Sequence, residues 1–261
     1  MRMLTAIDSA WLDIRPPDLG RLRDGIAEDF VADLRRGLAA AFGDAPCFVL
    51  KDPRVCRLVP LYRWLLGEMG ADVRVVLALR DPAAVAASLH RRNQLSAGYA
   101  GLLWASHMLA AERDTRDLPR IAVDYDDLVA NPRAAARRVA GLLAGAVPPV
   151  DADRIASPVR DDLRHHRAGG PCPFGPALGP LVRDLHAALA TGAPPARFAG
   201  IAADLAEIAA RTADAVIVEF RFQTLTSPHD TVVARNPAAA RRDLAAALDR
   251  LHRAGAGNAS L

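Results

Sequence analysis

The run DVRVVLALR (72–80) is apolar, rich in β-branched residues, and passes without a break into DPAAVAASLHRR (81–92). Continuous apolar runs of this kind read as strands buried on both faces, which is the signature of a parallel sheet. Asp81 is a suitable helix cap and Pro82 suits a first helical position, so the strand is expected to feed directly into a helix. Parallel strands cannot be joined by a tight turn. A chain with this unit must return over the sheet through a helix.

The flanking sequence repeats the pattern. Leu22, Ile26, Phe30, Leu34 and Leu38 recur every four residues, which predicts an amphipathic helix over 21–42. CFVLKD (47–52) reads as a short buried strand, 57–69 as a helix, 97–115 as a helix and RIAVDY (120–125) as a strand. A further helix is expected within 126–144, with Asn131 as cap and Pro132 at its first position. Strands alternating with helices imply α/β architecture with helices on both faces. Ligands in such folds sit beyond the carboxyl ends of the strands. Two of the expected strands end there in polar groups, Lys51-Asp52 and Arg80-Asp81.

The pattern changes after Gly145. The Pro-, Gly-, Arg- and His-rich stretch 146–180 reads as a long loop, followed by helices over 181–191, 199–219 and 237–254. The expected organisation is an α/β domain over 1–180 with a helical extension over 181–261. Apolar residues make up 51% of the chain but aromatics only 5%, so alanine-rich helices should pack closely on a small sheet. The formal net charge of +3 is too balanced to predict nucleic-acid binding. Three cysteines give neither a disulfide framework nor a zinc spacing. The first residues lack the apolar core of a signal peptide and no apolar run is long enough to span a bilayer, so a cytoplasmic location is expected.

Lys51 is the sole lysine among the 33 Lys and Arg residues. A position that keeps a compact ammonium under such a bias is a candidate for chemistry that requires one. Asp52 beside it is a candidate base, against the simpler alternative of a salt-bridged strand end shared with Arg54. Arg80 offers a planar fork for phosphate oxygens, next to a helix whose first N–H groups are free to bind an anion. Ser88 follows on that helix. The plain alternative is a strand-to-helix turn with a surface arginine. Val123 to Leu128 reads as a strand end feeding a capped helix, with no catalytic role. His165 and His166 read as solvated, and Trp64 and Trp104 as core residues.

RDPAAVAASL resembles the 3′-phosphate-binding segment of sulfotransferases that use 3′-phosphoadenosine 5′-phosphosulfate. YDDLVANPRAAARRVAGLL resembles that family's Tyr-(Glu/Asp)-Asp-Leu segment and its following helix. FVLKDPRVCRLVP is similar to the Lys-Asp-Pro-Arg segment of the bacterial members, and LLWASHMLAAERDT and DDLRHHR also fit that branch. The resemblance spans about residues 8–167. It implies a three-layer parallel sheet of the P-loop nucleotide-binding type, N-terminally incomplete, with a helical C-terminal region. It implies transfer of a sulfuryl group to a hydroxyl of a glycan, lipid or small metabolite, with no metal and no nucleic-acid partner. Arg80 and Ser88 would bind the donor's 3′-phosphate, and Lys51 would stand near the sulfuryl group. The family's Gly-rich phosphosulfate loop has no counterpart before Cys47, where Gly20 and Gly25 are isolated. Two other readings follow: a non-catalytic remnant or interaction module, and a nucleotide kinase-like protein of the wider P-loop class.

Overall fold

A computed structural model describes residues 11–17, 19–20, 28–143 and 172–212. The protein is mixed α/β and mostly helical, and its described strands form one two-stranded parallel sheet. In chain order the described elements are α1 (Glu28–Phe42), α2 (Val55–Glu68), β1 (Val75–Leu79), α3 (Pro82–Asn93), α4 (Ala97–Thr115) and β2 (Arg120–Asp124). These are followed by α5 (Tyr125–Ala130), α6 (Pro132–Leu142), α7 (Gly175–Thr191) and α8 (Pro195–Arg211). The helix expected over 237–254, the His165–His166 pair and most of the 146–180 stretch lie outside the described residues.

The described residues divide into two compact units. One takes those up to Asp81, Ser106 on to 143, and His186–Ala193. The other takes Pro82–Ala105, 172 to Leu185, and Pro194 on to 212.

In the first unit β1 and β2 pair in parallel, with Val75 opposite Arg120 and Leu79 opposite Asp124. Leu77 and Leu79 point to the buried face of β1, whereas Val76 on the alternate face stays 44% exposed. Two arginines tie the surrounding helices to the sheet. Arg138 on α6 donates to the Ala122 carbonyl at 2.6 Å, and Arg74 donates to the Leu142 carbonyl. Asn131 ends α5 and caps α6, its Oδ1 accepting from the Ala134 N–H at 3.1 Å, with Pro132 next. The helix expected within 126–144 is α6, with Asn131 as its cap and Pro132 at its first position as expected, and the short α5 precedes it as an addition.

Arg57 on α2 is buried to 2% exposure and donates to the carbonyls of Asp13 and Arg15. Backbone oxygens accept from both terminal nitrogens of its guanidinium, and the segment carrying buried Leu12 is thereby held to the helix. Trp11, Leu19 and Tyr62 pack against buried Leu58 at the same place. Trp64 departs from the core expectation. It is 49% exposed beneath the Arg35 guanidinium, because it shares the outward side of α2 with Pro60 and Gly67 rather than the side of Leu58, Leu61 and Leu65.

The strand expected over 47–52 is not formed. The segment runs without regular structure, although exposure alternates from half-buried Phe48 through exposed Val49 and half-buried Leu50 to exposed Lys51. Phe48 stacks on Phe42 with ring centroids 4.2 Å apart. An extended run becomes a strand only where a ladder satisfies its backbone groups, and among the described residues β1 pairs with β2 alone.

In the second unit Trp104 is buried, as expected. α7 begins at Gly175, well before the expected 181. Phe174, Leu178, Val182 and Leu185 recur at helical spacing and are all buried, and that apolar face overrides the Pro and Gly content of GPALGP. Close packing explains a glycine on each side. A Cβ at Gly101 would stand 2.8 Å from the Phe174 ring, and one at Gly179 2.5 Å from the Cys172 Sγ.

Candidate functional site

The register of the two strands determines what meets at their carboxyl ends. Leu79 lies opposite Asp124, so the next residues along the two strands, Arg80 and Tyr125, leave the sheet side by side. The Arg80 guanidinium carbon lies over the Tyr125 ring, 4.7 Å from its centroid. This cation–π contact restrains the guanidinium fork. Arg80 Nε is buried and has no hydrogen-bond partner among the described residues. Leaving a buried donor unpaired costs about 1–3 kcal/mol, so its retention calls for an explanation.

Asp124 begins the next layer. Its Oδ1 accepts from the Asp126 N–H at 2.8 Å and caps α5, as the strand-end reading requires. Its Oδ2 lies 3.3 Å from Nε2 of His186 on α7. That nitrogen is buried, within ion-pair distance of the carboxylate though outside hydrogen-bond alignment. Two contacts thus lie at the end of β2, Arg80 with Tyr125 and His186 with Asp124, on adjacent residues of the chain.

Lys51 is exposed at the end of the extended segment and makes no hydrogen bond or ion pair among the described residues. Asp52 is half-buried and turns back on its own chain. Its Oδ1 accepts from the Arg54 N–H and Nε, both at 2.8 Å, and its Oδ2 from Arg54 Nη2. The Arg54 side chain chiefly, with the Arg54 backbone N–H, holds the Asp52 carboxyl down at about 2 against an opposing effect of burial. Such a carboxylate has little affinity for a proton and is a poor base while the clasp lasts. Burial pushes the nearby Tyr62 hydroxyl up, and the Asp52 charge adds to this. Burial also pushes the Cys56 thiol to about 11, which leaves it unreactive.

The Asp52 titration is directly measurable. Because its folded value lies below the usual 3.8, the clasp contributes stability above that value and loses it as the pH falls toward 2. Both side chains are more than a third exposed, so the contribution is small. The Asp52 carboxyl carbon followed by NMR should titrate near 2 in the native chain. In Arg54→Ala it should return to the ordinary carboxylate range; an ordinary value in the native chain would contradict the clasp.

Ser88 belongs to the second unit and is exposed in the second turn of α3. Among the sequence-derived candidates, then, Lys51 and Asp52 adjoin in the chain, and Arg80 is joined to Tyr125 rather than to either of them. Asp124 and Tyr125 belong to the stretch read as a strand end feeding a capped helix with no catalytic role, and His186 was not singled out from the sequence. The strand-end position of the first two was a usable signal, since side chains there converge. His186 gives none, because only the packing of α7 brings it to Asp124. Among the described residues no group of three or more His, Cys, Asp or Glu is placed to hold a metal ion. No described helix is long and apolar enough to cross a membrane. No protein-family model, curated protein or solved structure matches the chain.

Proposed function

We propose that the chain is a sulfotransferase-like protein that binds a 3′-phosphorylated adenine nucleotide and moves a sulfuryl group from 3′-phosphoadenosine 5′-phosphosulfate to a hydroxyl acceptor. The observation that carries the reading is Arg80: a fork at the carboxyl end of a parallel strand, over the Tyr125 ring, with a buried Nε that has no hydrogen-bond partner among the described residues. A phosphate oxygen is the natural acceptor for that donor. The parallel pairing of β1 and β2 across a helical crossover supports a sheet of the P-loop nucleotide-binding type. The motif resemblance adds the identity of the donor.

The reading assigns Arg80 to the 3′-phosphate and Lys51 to the oxygen that bridges sulfur and phosphorus. In an in-line displacement the acceptor oxygen bonds to sulfur as the sulfur–oxygen bond to the phosphate breaks. The acceptor's proton passes to a base, and 3′,5′-adenosine bisphosphate leaves with the negative charge that Lys51 would offset. Asp52 takes the base role only when Arg54 turns from it onto an anionic ligand.

Calorimetry with the whole chain tests the reading. The 3′,5′-bisphosphate should bind at least about tenfold more tightly than adenosine 5′-monophosphate, the difference one charged phosphate contact makes. Equal affinities would overturn it. No heat from either ligand, in a folded sample, would favour the non-catalytic module instead.

A further inference from the structure

We infer that His186 is a positioning residue for the phosphate fork, acting through Asp124 and Tyr125 on Arg80. The inference rests on the nucleotide reading of Arg80 and adds a residue from α7, far along the chain from every motif that supports that reading. Asp124 has a neighbour on each oxygen: Oδ1 accepts from the Asp126 N–H at 2.8 Å, and Oδ2 lies 3.3 Å from His186 Nε2. Those two contacts restrain the carboxylate that caps α5. Tyr125 is the first residue of α5, and its ring carries the Arg80 guanidinium at 4.7 Å. His186 with Asp124 and Tyr125 with Arg80 are direct contacts, and Asp124 is joined to Tyr125 through the backbone. Arg80 Nε has no hydrogen-bond partner among the described residues, which leaves the Tyr125 ring as the contact that orients its side chain.

The chemistry gives the line a direction. With His186 removed, the Asp124 carboxylate keeps the Asp126 N–H but loses its second neighbour, so the cap on α5 is less restrained and Tyr125 is placed less firmly beside β1. Arg80 keeps its charge and loses its preset plane. A fork that must be ordered on binding gives up affinity, because the ordering entropy is then spent in the complex. His186 touches neither ligand nor reacting atoms in this account, so its effect must disappear when the fork itself is absent.

The test is a mutant cycle read by calorimetry with 3′,5′-adenosine bisphosphate on the whole chain. His186→Ala should weaken binding about tenfold, and His186→Gln, which keeps a donor at similar reach, by less than about threefold. In an Arg80→Lys background, where no planar fork remains to be oriented, His186→Ala should change affinity by less than about twofold. An equal effect of His186→Ala in both backgrounds would make the residue merely structural and overturn the inference. So would an unchanged affinity in His186→Ala while Arg80→Ala binds poorly. If Arg80→Ala itself binds like the native chain, the nucleotide reading fails and the inference falls with it. Should His186→Ala not fold, Asp124→Asn takes its place with the same expected pattern. It keeps an acceptor for the Asp126 N–H and removes the charge that faces His186.

Discussion

Arg80→Ala is expected to weaken 3′,5′-adenosine bisphosphate binding by about 100-fold, the loss of roughly two charge-assisted hydrogen bonds to phosphate at about 1.5 kcal/mol or more each. Its thermal midpoint should stay close to that of the native chain. The Arg80 Nε is a buried donor without a partner among the described residues, so truncation removes a desolvation cost along with the stacking on Tyr125. The two terms oppose one another. Arg80→Lys keeps a cation and loses the planar fork, and should fall between the two, about tenfold weaker than the native chain. A large fall in melting temperature with unchanged affinity would show that the guanidinium serves the fold and not a ligand.

The second large effect concerns stability. Glu112 on α4 is 1% exposed, and its two carboxylate oxygens each hold an arginine: Oε2 accepts from Arg116 at 2.6 Å and Oε1 from Arg120 at 3.1 Å. Arg120 also donates to the Glu112 carbonyl at 2.7 Å and to the Thr115 hydroxyl at 3.1 Å, and that hydroxyl donates to the Ala111 carbonyl. The cluster fastens the last turns of α4 to Arg120, the first residue of β2. Glu112 is buried but both arginines are partly exposed, so water takes up part of the charge left behind and the cost falls to about 1–3 kcal/mol, below that of a fully buried pair. Glu112→Ala should therefore lower the calorimetric midpoint by roughly 5 °C in a domain of this size. Glu112→Gln, which still accepts one hydrogen bond, should fall between. Breaking the exposed Arg36–Asp33 pair should leave the midpoint within error of the native value. A Glu112→Ala midpoint equally unmoved would mean that water replaces the carboxylate.

Most of the helices were legible in the sequence. α4 runs from Ala97 to Thr115, the limits its pattern predicts, and β1 into α3 follows the Arg80-Asp81-Pro82 junction. These elements carry their own signals, because apolar spacing and a proline at the first position act within a few residues. CFVLKD shows the limit of local reading. Its composition suits a strand and its exposure alternates like one, yet a strand exists only by pairing with another segment. The start of α7 was misread for the opposite reason. Pro and Gly argued for a loop locally, and burial of Phe174, Leu178 and Val182 decided for a helix.

The candidate site divides in the same way. Lys51, Asp52, Arg80 and Ser88 were visible because their motifs are contiguous. That Asp52 is clasped by Arg54 was also open to expectation, since the two stand two residues apart. By contrast, nothing in YDDL marks Tyr125 as the surface on which Arg80 lies, and nothing near His186 points to Asp124.

The sequence by itself determined the alternation of strand and helix, the parallel sense of the β1–β2 pair and the cation at the end of β1, since each depends on short-range sterics and capping. Only the tertiary structure decided what that cation meets. The register that sets Leu79 against Asp124 places Arg80 beside Tyr125, and the packing of α7 brings His186 to Asp124. Such contacts depend on the relative placement of segments distant in the chain, and no local propensity encodes that placement.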